Sequence, residues 1–103
     1  MKRLAGEQAE IFRIFGNEKR VLIFWLLLEK EMSVNEIAEG IDTSIQNTSQ
    51  HLRLMKSLDI LDFRRDGQTI YYFIADNEIG DYCRLIHQEN IRKIRSLELK
   101  ASR

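Results

Sequence analysis

The chain has 103 residues, 44% of them hydrophobic, and its 16 basic residues balance 16 acidic ones, a neutrality that argues mildly against a nucleic-acid partner. This length allows one compact domain, residues 1–103, and excludes two that each bury a sizeable core, and the longest apolar run falls far short of the roughly 20 residues of a membrane span. A single cysteine, Cys83, excludes an intramolecular disulfide framework, so the composition predicts a cytoplasmic domain without a membrane partner.

The first third of the chain predicts two helices. Residues 7–15 carry apolar side chains at helical spacing, namely Ile11, Phe12 and Phe15. Gly16 then interrupts the pattern, and Asn17 is a residue type that caps helix N-termini. From Glu18 onward the chain is apolar almost all round, which predicts a core helix buried on most of its sides.

A helix-turn-helix pattern follows. Ser33 and Glu36 have the spacing of a capping box, in which each side chain satisfies a free backbone amide, so we expect a short third helix closed by Gly40. Ser44 is placed to cap a fourth helix that runs to about Leu58. The inward face of this helix is expected to consist of Thr48, Leu52, Met55 and Leu58. Two short helices joined by a tight turn make the helix-turn-helix arrangement.

The last third of the chain predicts a hairpin and a long helix. Apolar and polar residues alternate on both sides of the turn-forming dipeptide Asp66-Gly67, which indicates a two-stranded hairpin. The final helix begins near Glu78, with Asp76 or Asn77 as its cap. Its apolar stripe consists of Ile79, Tyr82, Cys83, Ile86, Ile94 and Leu97. Because this stripe is long for so small a domain, we expect part of it to need a partner chain.

The order of these elements is mainly α with a small β-hairpin (α-α-α-α-β-β-α), which is the order of a winged helix-turn-helix domain. The outward face of the fourth helix is uncharged from Thr43 to Gln50, unlike surface helices that pair Lys with Glu. Side chains able to bind base edges or phosphates in a major groove are Ser44, Gln46, Asn47, Ser49, Gln50 and Arg53. Before the hairpin turn, Arg64 and Arg65 are candidates for phosphate or minor-groove contact. The alternatives are a solvated polar face and a hairpin tip charged for solubility.

The fourth helix also resembles the recognition helix of a known family. The segment Ser44-Ile45-Gln46-Asn47-Thr48-Ser49-Gln50-His51-Leu52-Arg53-Leu54-Met55 is similar to the signature of ArsR-type repressors, and residues 49–52 are its most specific part. Residues 15–20, 34–38 and 65–72 also match, so the similarity extends over residues 7–95. On these motifs the chain resembles the ArsR/SmtB family of winged helix-turn-helix regulators.

The resemblance implies a transcriptional repressor, not an enzyme, that binds double-stranded DNA as a homodimer. Two recognition helices would enter successive major grooves of a near-palindromic operator. The dimer would form through the first and last helices, with candidate contacts at Ile11, Phe12, Phe15, Tyr82, Leu85 and Ile86. Asp59 stands where the family often has glycine, which implies a left-handed backbone after the fourth helix. The equivalent of His51 lies within the recognition helix and touches a phosphate or the adjoining helix.

The sequence does not identify an effector, and we expect no cofactor. Many members of the family release DNA when a metal binds, through cysteines near the third helix or through carboxylates and histidines on the last helix. There is no cysteine near the third helix, and the weak donor set near the last one consists of Asp76, Glu78, His87 and Glu89. Cys83 is expected to pack, with a redox switch or a bond across the dimer as alternatives. A winged-helix protein-interaction module without specific DNA binding is the alternative function.

Overall fold

The computed structural model describes residues 1–101, so Ser102 and Arg103 of the expected domain lie outside the described residues. The elements in chain order are α1 (Lys2–Phe15), α2 (Glu18–Glu29), β1 (Met32–Ser33), α3 (Val34–Gly40), α4 (Ile45–Ser57), β2 (Leu61–Asp66), β3 (Thr69–Ile74) and α5 (Glu78–Ala101). This order confirms the mainly helical winged helix-turn-helix fold with one added strand, β1. No helix within the described part of the chain has the length and apolarity needed to cross a membrane.

The added strand turns the predicted hairpin into a three-stranded antiparallel sheet in the order β1-β3-β2. Met32 lies opposite Tyr72, and β2 pairs with the other edge of β3 from Leu61 opposite Ile74 to the turn. Gly67 adopts a φ of 64° in that turn, a conformation that glycine reaches without steric cost. Since β1 immediately precedes α3, it joins the hairpin, or wing, to the helix-turn-helix.

The apolar core lies where α1 to α4, the sheet and the start of α5 meet. Its fully buried side chains include Ile14, Ile23, Phe24, Ile37, Leu52, Met55 and Leu61. The inward face predicted for α4 is confirmed, since Thr48, Leu52 and Met55 are buried and Leu58 packs half-buried against the core. The hydroxyl of Thr48 donates to the Ser44 carbonyl at 2.8 Å, so its burial leaves no polar atom unsatisfied.

The first two helices differ in detail from the sequence expectations. Helix α1 begins at Lys2, so it contains the periodic segment 7–15 and extends before it through exposed turns without apolar periodicity. Most of the apolar stretch of helix α2 is buried or half-buried, but Trp25 is 44% exposed and Leu28 is 38% exposed. One chain therefore does not cover all the apolar surface that α2 presents.

The turns after α3 and α4 both place an aspartate in the left-handed region. Asp42 has a φ of 54° and Asp59 a φ of 61°, the latter as the family resemblance implies. In each turn a following amide donates back to the helix, from Thr43 to the Ala38 carbonyl at 3.0 Å and from Ile60 to Met55 at 3.1 Å. This is the Schellman arrangement, in which the left-handed residue is usually glycine because a Cβ is unfavourable there.

The start of α5 is fixed against the rest of the domain by its cap. The side-chain oxygen of Asn77 accepts from the Gly80 amide at 2.7 Å, and its nitrogen donates to the Asp59 carbonyl at 3.1 Å. Asn77 rather than Asp76 is therefore the cap. A Cβ on Gly80 would lie 2.0 Å from the Ala75 carbonyl oxygen, so only glycine fits this junction.

Candidate nucleic-acid interface

Helix α4 is held in place at its N-terminus by one short-range cap and one long-range contact. The Ser44 hydroxyl oxygen accepts from the Asn47 amide at 3.0 Å, which confirms Ser44 as the N-cap. From α2, the Lys19 ammonium donates to the Ile41 carbonyl at 2.6 Å. Because that carbonyl ends α3, Lys19 fixes the turn that sets α3 and α4 at their relative angle.

The outward face of α4 is open to solvent. Ser44, Gln46, Asn47, Gln50 and Arg53 are exposed and Ser49 is half-buried. Within residues 1–101, no hydrogen bond or ion pair engages the side chains of Gln46, Asn47, Gln50 or Arg53. The first turn of α4 has no acidic residue, so no side chain of that turn would itself repel a phosphate. These side chains are free to bind a polar ligand.

The two wing arginines have different surroundings. The Arg64 Nε donates to the two carboxylate oxygens of Glu31 at 2.9 and 3.0 Å, Nη2 also donates to Glu31, and the guanidinium lies 4.7 Å from the ring centroid of Tyr71. Hydrogen bonding to Arg64 lowers the pKa of Glu31, and the same bonds raise the pKa of Arg64. Arg64 is thus held at the sheet rather than projecting from the tip, and Arg65 is the exposed wing arginine without such a partner in the described chain.

His51 is half-buried on the other side of α4. Burial, together with the nearby charge of Arg20, lowers the pKa of His51, so the imidazole is neutral at pH 7. Arg20 itself donates to the Ile14 carbonyl at 2.9 Å and closes the end of α1. Of the two positions that the resemblance implies for His51, this placement favours the adjoining helices over phosphate.

The structure brings the candidate dimer residues together on α1 and α5. The Gln8 side-chain amide donates to the Tyr82 hydroxyl at 3.3 Å, so the two helices lie side by side. Phe12 and Leu85 are 52% and 57% exposed, and Tyr82 is also exposed. Three further candidates are half-buried, namely Ile11, Phe15 and Ile86. Together they form an apolar surface that the single chain leaves in contact with water.

The four metal candidates are not brought together. Within residues 1–101, no group of three or more His, Cys, Asp or Glu side chains is placed to hold a metal ion. Glu89 pairs with Arg92 at 2.6 Å, and the His87 ring packs 5.5 Å from the ring of Trp25. Asp76 and Glu78 stand at the opposite, N-terminal end of α5.

Cys83 lies in the core and is 1% exposed. Burial raises the pKa of the Cys83 thiol to about 11, so the reactive thiolate is scarce at neutral pH. This environment agrees with the packing role expected from the sequence.

Known proteins resemble this chain in both sequence and fold. Residues 15–62 match a family model described as a helix-turn-helix domain. A homolog of the cadmium resistance transcriptional regulatory protein CadC from Staphylococcus aureus is 33% identical over 89 residues, which cover 84% of this chain and 74% of that protein. The chain belongs to the ArsR/SmtB family. The DNA-binding transcriptional regulator expected from the sequence is therefore confirmed, and the protein-interaction alternative is not favoured.

Two further comparisons concern another regulator and a solved structure that resemble this ArsR/SmtB protein. The HTH-type transcriptional regulator KmtR of Mycobacterium tuberculosis is 37% identical over 70 residues, which are 68% of this chain and 54% of KmtR. The chain thus spans about half the length of that relative. The homodimeric winged helix-turn-helix DNA-binding domain of Mb0332 from Mycobacterium bovis superimposes with a TM-score of 0.81 at 24% identity, covering 92% of this chain and 88% of that one. This likeness establishes the shared fold.

Proposed function

We propose that this protein is a transcriptional repressor that binds a near-palindromic operator as a homodimer. The observation that carries the proposal is the exposed face of α4, whose amide and guanidinium side chains make no hydrogen bond or ion pair within residues 1–101. Such side chains match the donor and acceptor pattern of base edges in the major groove. The proposal gives the protein no enzymatic activity and no cofactor, and it places the protein with its DNA in the cytoplasm.

The side chains divide into base-reading and backbone-binding groups. Gln46, Asn47 and Gln50 carry amides that can bind adenine in bidentate fashion, so we assign them to base edges. Arg53 lies one turn further along α4 and is assigned, with Ser49, to phosphates that fix the register of the helix. Ser44 is assigned to a base edge. On the wing, Arg65 is the residue assigned to phosphate, because Arg64 is already held by Glu31.

The homodimer is supported by the apolar surface of α1 and α5. Phe12 and Leu85 each leave more than half of their surface in water, and a second copy would bury both without changing the DNA-facing side. Symmetric pairing of this surface would present two α4 helices to half-sites separated by about one helical turn or a multiple of it. The homodimeric winged helix-turn-helix domain of Mb0332, which shares this fold, supports the arrangement.

A fluorescence-anisotropy titration of the protein against its own upstream DNA tests the proposal at two salt concentrations. We expect specific binding that weakens as salt rises, because cations released from phosphates drive part of the affinity. The double variant Gln50→Ala, Arg53→Ala should lose about 1000-fold in affinity, since the homodimer loses in each half-site a base contact of about 1–3 kcal/mol and a phosphate contact as well. Lys30→Ala removes an exposed positive charge outside α4 and should bind almost as the parent does. Absence of specific binding by the parent would overturn the proposal and favour a protein-interaction module.

The same titration can identify the class of signal. Zinc and an oxidant are added in separate arms, and loss of specific binding in one arm would assign a metal or a redox signal. Specific binding that is indifferent to both would point to an organic ligand or to a constitutive repressor. Neither result changes the assignment of α4.

A further inference from the structure

Ile45 is an exposed apolar residue at the leading end of the recognition helix. It directly follows the cap Ser44 and is the first residue of α4. Its side chain is 54% exposed and is not part of the core cluster. A polar side chain in this position would be better solvated than isoleucine. Packing within the free protein therefore does not explain why an apolar residue stands here.

The other large exposed apolar side chains of the described chain have different settings. Most lie on α1 and α5, where the proposed second copy would cover them, namely Leu4, Phe12, Tyr82, Leu85, Ile94, Leu97 and Leu99. Trp25 and Leu28 lie on α2, away from the DNA-facing side chains of α4, and the Trp25 ring packs against that of His87. Phe63, on the wing, has the ring of Tyr72 at 5.6 Å and the Lys56 ammonium at the same distance. Ile45 is the member of this set that stands on α4, among the side chains assigned to DNA.

The surface beside Ile45 does not suit a phosphate. On the α3 side, the shallow depression that includes Ile45 is lined by Glu39 and Asp42, and both of these acidic residues are exposed. Their carboxylates would repel the charged DNA backbone at close range. On a nucleic acid, the group that meets Ile45 is therefore an uncharged, apolar one rather than a phosphate.

The floor of the major groove contains one such group. Among the edges of the four bases, thymine alone presents an apolar C5-methyl, and the N-terminal residues of a recognition helix are those that reach base edges. We propose that Ile45 contacts the C5-methyl of a thymine in each operator half-site and so selects a T·A pair at that position. This inference rests on the proposed function and adds a specificity determinant to it.

The test compares thymine with deoxyuridine, which differs by that methyl alone. Full-length protein first selects duplexes from a random pool, and the consensus duplex is then resynthesised with each symmetric pair of thymines replaced by deoxyuridine. At one symmetric position we expect the parent to lose about fourfold in affinity for each half-site, or about 15-fold for both, from the loss of one buried methyl-sized group. Replacement of thymines outside the half-sites is the matched control and should have no effect.

Two variants assign that loss to Ile45. Ile45→Ala should bind the thymine and deoxyuridine duplexes equally, whereas Ile45→Val, which keeps a branched apolar side chain, should retain most of the preference. Both variants change an exposed residue, and thermal unfolding checks that they fold as the parent does. Equal discrimination by Ile45→Ala and the parent would assign the methyl contact to another residue and overturn the inference.

The remaining outcomes separate the inference from the function on which it rests. If the parent selects a consensus and binds it tightly but no thymine methyl matters, the repressor proposal stands and the role of Ile45 is wrong. A consensus without thymine in either strand of the half-sites has the same meaning. If no sequence is selected at all, both proposals fail.

Discussion

The DNA-facing half of the molecule and its helical end differ in how far the contacts within one chain fix the fold and cover apolar side chains. In the first, Lys19 holds the end of α3, Asn77 joins α5 to the turn after α4, and β1 joins the wing to α3. The helical end consists of α1 and of α5 beyond its first turn, where large apolar side chains stay exposed, namely Leu4, Phe12, Leu85, Ile94 and Leu97. The contacts that fix the fold of the DNA-facing half are thus complete in one chain, whereas the helical end leaves apolar surface for a second copy.

This difference teaches that folding and operator affinity depend on different surfaces. Each large apolar side chain gains about 1.5–3 kcal/mol when it is fully buried, and at the helical end that gain is available only on association. A substitution at the helical end should therefore change dimerisation with little effect on the fold. A substitution in the DNA-facing half should change folding or DNA contact with little effect on dimerisation.

The largest effect is expected for Leu85→Glu on α5. Two copies of the change face each other in a symmetric dimer, so a loss of about 2 kcal/mol for each copy would raise the dimer dissociation constant about 1000-fold. Sedimentation equilibrium measures that constant directly. Leu28→Glu is the control, because Leu28 is also exposed but lies on α2 outside the expected interface. If Leu85→Glu associates as tightly as the parent, α5 is not the dimer surface.

Gly80→Ala should cost about 3 kcal/mol in free energy of unfolding, because overpacking against backbone cannot relax by rotation of a side chain. The new Cβ would lie 2.0 Å from the Ala75 carbonyl oxygen and force the start of α5 away from the sheet. Gly6→Ala on α1 is the matched control, since its Cβ would meet no atom of residues 1–101 within 4 Å. It should gain about 1 kcal/mol from helix propensity. Urea unfolding of both variants measures the contrast, and similar midpoints would contradict the contact at Gly80.

The next prediction concerns the wing. Arg65→Ala should weaken operator binding roughly tenfold and reduce the slope of log affinity against log salt by about 1 for each wing that contacts DNA. Arg64→Ala should leave that slope nearly unchanged, because its guanidinium is already neutralised by Glu31. Anisotropy titrations over a range of salt measure the slopes. Equal losses of slope in the two variants would show that DNA displaces Glu31 from Arg64.

Local sequence signals predicted the parts of the fold that local chemistry controls. Asn17, Ser33 and Ser44 cap their helices as expected, because a cap is read within three residues of the helix start. Alternation revealed β2 and β3, but β1 has only two residues, which is too short for any periodicity. The sequence does not predict the start of α1 for a related reason, since its exposed first turns have no apolar pattern.

Contacts between residues far apart in the sequence are the part of the candidate site that the sequence does not predict. The ammonium of Lys19 reaches a carbonyl 22 residues away, and Glu31 binds Arg64 across 33 residues. Neither pair has a spacing that sequence reasoning could detect, so the turn that Lys19 fixes was missed and both wing arginines were treated alike. The exposed face of α4, by contrast, followed from its caps and its period.

The smallest expected effect concerns the left-handed turn after α4. Asp59→Gly should raise the free energy of unfolding by about 1 kcal/mol, because glycine adopts a positive φ without the Cβ clash that aspartate bears. Asp59→Ala is the control, since it removes the same carboxylate but keeps the Cβ, and it should not stabilise the protein. Urea unfolding ranks the three proteins, and a stabilised Asp59→Ala would mean that the carboxylate rather than the backbone carries the strain. Because the turn belongs to the DNA-facing half, whose fold is fixed by contacts within one chain, the dimer dissociation constant of Asp59→Gly should equal that of the parent.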